Sequence, residues 1–267
     1  MKKTMLLVFA GIAALTCGSI GAAHADDGEI TKDNYPVVVV DRPILVPQGM
    51  LELRGNTAII NMSKGSAGDP ISLAPDIYYG VNKKLNIGIT HVDGGICAVG
   101  DACDKAYNAV GVDALYDLMH GGSLLAALRA GVRIPSFDPL IAGLNLGVDV
   151  KLAAGKVAVY FNPSLYVGAI KRSSDATPPE PFKKEELDVP LILGYQAQRQ
   201  TLVFLRTGMH GPLSGFGDAV QVPIGVGATF AANNRLDFGA EWLFLNLAGK
   251  GGSADGRAII VRIALRL

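Results

Sequence analysis

The chain has 267 residues, and its 24 Lys and Arg balance its 24 Asp and Glu, so no field of one sign draws it to nucleic acid. Only 18% of the residues are charged while 49% are hydrophobic and 33 are glycine, with a mean hydropathy of +0.32, so a large apolar surface must be placed somewhere. Beyond the N-terminus no uncharged apolar run approaches the roughly 18–20 residues that a membrane helix needs, which argues against a helical inner-membrane protein.

Met1-Lys2-Lys3 opens the chain, an apolar stretch runs from Met5 to Thr16, and Ala23-His24-Ala25 stands just before Asp26-Asp27. A charged start, a short apolar middle and an Ala-x-Ala exit make residues 1–25 a secretory signal peptide, cleaved near Ala25. Cys17 raises lipidation as an alternative, but Leu15-Thr16 before it is a poor lipoprotein cleavage site. Cleavage removes Lys2 and Lys3 and no acid, leaving 22 basic and 24 acidic side chains. The remaining length, about 240 residues, suits one barrel domain or two small domains.

Residues 26–47 form an N-terminal leader ahead of a domain over 48–267. Within the leader, Tyr35-Pro36-Val37-Val38-Val39-Val40-Asp41-Arg42-Pro43 carries an apolar run that should not stay in water. Two places are open to it, folded into a lumen as a plug or packed against the periplasmic rim, and the rim is the placement preferred here.

From residue 50 onward the signal is alternation with a period of two. Twelve windows carry it: 50–61, 71–81, 85–91, 108–118, 124–134, 140–152, 157–169, 187–197, 201–209, 220–230, 236–246 and 258–267. The sixth sets Leu140, Ala142, Leu144, Leu146, Val148, Val150 and Leu152 against Gly143, Asn145, Gly147, Asp149 and Lys151. Wherever a window holds an Asp, Glu, Lys or Arg, that residue falls opposite the apolar row. The acids are Glu52, Asp76, Asp113, Asp117, Asp149, Asp188, Asp237 and Glu241, and the bases are Arg54, Arg129, Arg133, Lys151, Arg206, Arg262 and Arg266. Pro75, Pro163, Pro190 and Pro223 each remove a ladder hydrogen bond, so bulges or late strand starts are expected there. Leu124-Leu125-Ala126-Ala127-Leu128-Arg129-Ala130 is a helix-former run that only its context makes a strand.

The links after the even windows are short and turn-like, as in Asn82-Lys83-Lys84, His120-Gly121-Gly122 and Asn233-Asn234-Arg235. Those after the odd windows are mostly longer and polar, up to 171–186 with its Pro178-Pro179-Glu180-Pro181. An even strand number with short turns on one side and long loops on the other is the layout of a membrane barrel whose two ends lie on the periplasmic side. The expected fold is all-β, a closed antiparallel transmembrane β-barrel of about 12 strands. Alternatives are a barrel of about 10 or 14 strands or a soluble β-sandwich.

The apolar row is expected to face lipid. Eight strands already make an interior just wide enough for side chains, so a round twelve-stranded barrel packed only with Val and Leu would leave a void. The other row is rich in glycines such as Gly80, Gly88, Gly111, Gly131, Gly143 and Gly147, which suits a crowded or water-filled lumen. A closed sheet also pairs every backbone group without an edge. An ionised side chain on the lipid face near the midplane costs about 2–4 kcal/mol, which accounts for its absence from the apolar rows.

The hairpin phrases Tyr79-Gly80-Val81-Asn82-Lys83-Lys84-Leu85-Asn86-Ile87-Gly88 and Asn234-Arg235-Leu236-Asp237-Phe238-Gly239 resemble the repeated Gly-to-turn-to-Arg/Lys-Leu-polar-apolar-Gly hairpins of bacterial outer-membrane β-barrel proteins. The run from Ile259 to Leu267 is similar to the terminal strand that their assembly machinery recognises, although that strand usually ends in an aromatic residue and this one ends in Leu267. The resemblance implies the outer membrane of a Gram-negative-type bacterium, with membrane lipid and the assembly machinery as partners. It names no substrate.

The lumenal charges have two readings. One is a charged constriction that selects small solutes passing through a pore. The other is a salt-bridge ladder that satisfies buried charges in a closed structural or surface-interaction barrel. Asp113 and Asp117 would face Arg129 and Arg133, and Arg262 and Arg266 would face Glu52 and Arg54; the near balance argues against strong anion or cation selectivity. Cys97 and Cys103 in the polar stretch 93–105 are expected to form a disulfide, with too few soft ligands nearby for a metal. A nucleophile elbow, His pairs at metal spacing and a phosphate-binding Gly loop are not found, so neither catalysis nor a cofactor is expected. His91, His120 and His210 are scattered, with His91 expected to face lipid near the outer rim; a rim lipid-modifying enzyme using a Ser/His pair is the weakest alternative.

Overall fold

The structure is a computed structural model that describes residues 29–91, 95–101, 103, 106–107, 109–138, 140–170 and 185–267. The expected signal peptide and most of the longest loop, 171–184, lie outside the described residues.

The wall is built from β1 (Leu51–Asn61), β2 (Ile71–Asn82), β3 (Leu85–Thr90), β4 (Ile96–Val99), β5 (Val110–Met119), β6 (Leu124–Phe137), β7 (Leu140–Ala154), β8 (Val157–Phe161), β9 (Ser164–Ile170), β10 (Glu185–Gln198), β11 (Thr201–Pro212), β12 (Ile224–Ala231), β13 (Leu236–Asn246) and β14 (Ser253–Arg266). All pair antiparallel, and β1 closes the ring by pairing with both β2 and β14. Because β3 with β4, and β8 with β9, each fill one place in the wall, the barrel has 12 strands, as expected.

The prolines sit where the ladder is irregular. Pro163 lies in the gap between β8 and β9, where its carbonyl accepts from Val148 N–H at 3.0 Å. Pro190 lies across that gap and accepts from Asn162 N–H at 3.3 Å. Pro223 delays the tenth wall strand to Ile224, after a single helical turn, α1 (Phe216–Ala219). The helix-former run at 124–130 lies in β6, paired along both edges with β5 and β7, so tertiary pairing overrides propensity.

One departure from simple alternation matters for the lumen. In β1 the register against β14 shifts between Asn56 and Ala58, just after Gly55, whose φ of +111° favours glycine. Before the shift Glu52 pairs with Arg266; after it Ile59 pairs with Ile260. The inward row therefore passes from even to odd residues, and alternation expected across 50–61 holds only to the bulge.

Outside, the apolar rows lie bare: Ile87, Val112, Leu128, Leu144, Leu146, Leu193, Leu205 and Val226 are all exposed. Tyr79, Tyr116, Tyr195, Phe230 and Phe238 are exposed near the short turns, in the manner of an interfacial aromatic girdle. Inside, charged residues are buried: Glu52, Asp113, Asp149, Lys151, Asp237, Glu241 and Arg266. This inversion, with exposed leucine and buried carboxylate, suits hydrocarbon outside and a polar lumen inside.

Residues 35–50 occupy the lumen at the short-turn end rather than the rim. Tyr35, Leu45, Val46 and Met50 are buried against Tyr78, Leu115 and Ala127. Val40, in a 3-10 turn over Val39–Asp41, is buried against Ala158, Leu202 and Phe204 on the opposite wall. The physical reason is that this row offers apolar side chains there as well as charges, so the Val-rich run finds a dry seat. Gly80 makes room for the approach, since a Cβ on it would lie 2.1 Å from Pro47 O. Its backbone exchanges hydrogen bonds with Gly49 N–H at 2.8 Å and Met50 O at 3.0 Å.

Candidate functional site: a plugged lumen

At the short-turn end the plug is tied to the wall by charge. The Arg42 guanidinium grips both oxygens of Asp237, at 2.5 and 3.0 Å. Arg266 donates to the same carboxylate at 2.5 Å and to Glu52 at 2.7 Å, and Glu52 also takes Arg54 at 3.2 Å. The Lys151 ammonium donates to the Arg42 carbonyl, and Asn86 bonds both the N–H and the carbonyl of Val46, at 2.7 and 3.0 Å. The Tyr35 ring lies 4.8 Å from the Arg266 guanidinium, and burial pushes its phenol up to about 12, so it presents a neutral ring to the network. Burial also raises the Asp41 carboxyl, partly offset by Lys151.

Further along the lumen, Glu241 is buried between Arg262, which donates to it, and Arg206, whose Nε lies 3.0 Å from Oε1 at an angle too bent for a hydrogen bond. On the facing wall Arg129 bonds Asp149 at 2.6 Å and lies 3.7 Å from Asp113. Here too guanidiniums rest on rings, Arg54 over Tyr78 at 4.1 Å and Arg262 near Phe204 at 5.5 Å. Those rings lie against glycines: a Cβ on Gly88 or Gly227 would meet Tyr78 or Phe204 at 2.6 or 2.5 Å.

Two cavities flank this belt. A cavity of about 280 Å³ lies on the plug side and is lined by Tyr35, Arg42, Glu52, Arg54, Lys151 and Asp237 among others. A larger one, about 480 Å³, is lined by Asp76, Tyr78, Asp113, Arg129, Arg133 and Arg206 with a set of apolar residues. Arg54 belongs to the first and its stacking partner Tyr78 to the second, so this pair is part of the septum.

The structure brings together Glu52, Arg54, Lys151, Asp237 and Arg266 around the plug, and Asp113, Arg129, Asp149, Arg206, Glu241 and Arg262 in the belt. Asp117 departs from the expected pairing with Arg129 or Arg133 and meets His120 at 2.6 Å, because both stand beside the same short turn. Asp188 lies 3.9 Å from His210 near the long-loop end. Asp76 accepts the His91 backbone N–H at 2.8 Å, while the His91 ring meets the Tyr107 hydroxyl at 2.9 Å. Arg42 was missed as a site residue. The available signal was a cation two residues beyond an apolar run that itself needed burial. Cys97 and Cys103 form the expected disulfide, with a Cα–Cα distance of 5.6 Å. Among the described residues no group of three or more His, Cys, Asp or Glu is placed to hold a metal.

A closed antiparallel sheet with leucines outside and paired charges within defines an outer-membrane β-barrel fold. Of solved structures, the NanC porin is similar over 80% of this chain and 97% of that one, at 9% identity and a TM-score of 0.54. Looser likeness is found to outer membrane phospholipase A from Escherichia coli, over 89% of this chain and 98% of that one, at 8% identity and a TM-score of 0.43. OmpF from Salmonella typhi matches over 75% of this chain and 62% of that one, at 14% identity and a TM-score of 0.41. At such identities the likeness speaks to the fold alone. No family model and no curated protein matches the sequence.

Proposed function

We propose that the protein is an outer-membrane channel for small solutes, held shut at its short-turn, periplasmic end by the plug of residues 35–46. The observation that supports this reading is the pair of cavities on either side of a charged belt. A purely structural barrel has no need of a 480 Å³ space lined by Asp76, Asp113, Arg129, Arg133 and Arg206. The mixed signs along the belt fit a pathway that passes small solutes without strong preference for either charge. The C-terminal strand through Leu267 is then the segment offered to the assembly machinery.

A closed structural barrel is the second reading, favoured by the density of ion pairs around Asp237 and Glu241. Conductance in planar bilayers separates the two. The full chain is expected to show small, infrequent openings, and Arg42→Ala, which unties the plug from Asp237, at least a several-fold larger open probability. Silence from both proteins would remove the channel reading and leave the structural one.

A further inference from the structure

The larger cavity has two unlike walls. On the side of β2, β3, β5 and β6 it presents Asp76, Thr90, Asp113, Arg129 and Arg133. On the side of β1, β13 and β14 it presents Ile59, Leu243, Leu245, Ala258 and Ile260, with Arg206 of β11, already beside Glu241, at the edge of this strip. The apolar wall is not explained by the plug: among the described residues no part of 29–50 lines this cavity. Elsewhere inward-facing apolar groups such as Leu115, Ala127 and Leu202 are covered by plug residues. The bulge after Gly55 is what turns Ile59 inward to complete this strip opposite Ile260.

The charged wall holds one group of each sign that makes no close ion pair among the described residues, although opposite charges stand near both. Asp76 accepts a backbone N–H from His91, and among the described residues no cation lies within ion-pair distance of it. Arg133 shares the neighbouring Asp113 with Arg129 and, among the described residues, makes no ion pair of its own within 4.0 Å. The two lie on one cross-strand row: Ile77 pairs with Ile89, Thr90 with Gly111, and Gly111 with Arg133, so Asp76, Thr90 and Arg133 follow in sequence around the wall. Gly111, between them, projects no side chain into the space.

We propose that this cavity is a binding site for a small zwitterion with an apolar body, of the apolar α-amino acid class. The carboxylate of the solute would meet Arg133, its ammonium Asp76, and its apolar side chain the strip of Ile59, Leu243, Leu245, Ala258 and Ile260. A zwitterion leaves the balanced charge of the lumen unchanged, whereas a simple anion or cation would leave one of these wall groups unanswered in a site of low dielectric. A volume of about 480 Å³ lies within the range of small-molecule pockets, roughly 300–1,000 Å³. The proposal rests on the reading of the lumen as a solute path, and it names the solute.

The test is calorimetric titration of the full folded chain in detergent with L-phenylalanine, glycine, phenylacetate and phenethylamine, alongside conductance of the same preparation. L-Phenylalanine is expected to bind at least ten-fold more tightly than each of the other three. Arg133→Gln and Asp76→Asn, each checked for a folded barrel by resistance to unfolding in cold detergent, are expected to lose at least ten-fold for L-phenylalanine. Arg133→Gln should leave phenethylamine unaffected, and Asp76→Asn should leave phenylacetate unaffected. Equal binding of phenylacetate or phenethylamine, or no binding of L-phenylalanine, overturns the zwitterion site even where the protein conducts. Binding with the expected pattern in a silent protein keeps the site and overturns the channel instead.

Discussion

The two ends of the lumen solve the same problem in different ways. At the short-turn end the wall charges are answered by protein: Asp237 holds both Arg42 and Arg266, and Glu52 holds Arg266 and Arg54. At the long-loop end the wall is of the same construction, yet Asp76, Arg133 and the strip at Ile59 and Ile260 face a cavity. The strands do not distinguish the ends; what fills the space does. Where the filling is covalently part of the chain, it adds to stability, and where it is left to solute and water, the wall keeps groups free for binding.

The sharpest way to break this contrast is to remove one carboxylate from each end. Asp237→Ala takes the paired carboxylate from buried Arg42 and one of the two from buried Arg266, and removing one partner of such a cluster costs about 3–5 kcal/mol. Asp113→Ala removes a buried carboxylate beside the larger cavity, 3.7 Å from an Arg129 that keeps its hydrogen bond to Asp149, and should cost only about 1 kcal/mol because that guanidinium is not left unpaired. Urea unfolding in lipid vesicles measures both. Equal losses would mean that the two ends are equally dry.

The outer face serves both ends, and a charge placed on it should hurt irrespective of the plug. Leu146 stands on the exposed row of β7, paired with Ala130 and Leu165. Leu146→Arg should cost about 2–4 kcal/mol in vesicles if the residue lies near the midplane. A neutral result in the same unfolding assay would mean that this row does not touch hydrocarbon.

Much of this wall was legible because a period of two is written locally. The sixth window, 140–152, lies within β7, and Pro163 and Pro223 marked a break and a late start. The bulge after Gly55 was not legible, since one extra residue changes the phase of the row without changing its composition. Strand pairing put Arg266 beside Glu52, a closure that chain order suggested. The Arg42 to Asp237 contact joins residues 195 apart and depends on a segment with no period of its own, so the apolar run before Arg42 could mark that side chain for burial but could not point to Asp237. The apolar seat that draws the plug inward is also split over several strands, with Leu115, Leu202 and Phe204 each a minor exception on a charged row.

The plug can be lifted by size as well as by charge. Gly80→Ala would place a Cβ 2.1 Å from Pro47 O, a contact with backbone that no rotamer change can relieve. Overpacking of this kind costs about 1–3 kcal/mol, and here the segment rather than the barrel should give way. Limited proteolysis of the folded chain should then cut within 29–47 several-fold faster than in the unaltered protein, with the barrel core intact.

The smallest effect is expected where the plug leaves the lumen. Glu29 meets Lys83 at 3.0 Å, with both side chains largely in water. Such a pair is worth under about 1 kcal/mol and is screened by salt. Glu29→Gln should therefore leave the proteolysis rate of the plug within about two-fold, even at low ionic strength where the pair is strongest. A large acceleration would show that the plug is held from its outer tip, and the buried grip of Arg42 on Asp237 would lose its place as the main anchor.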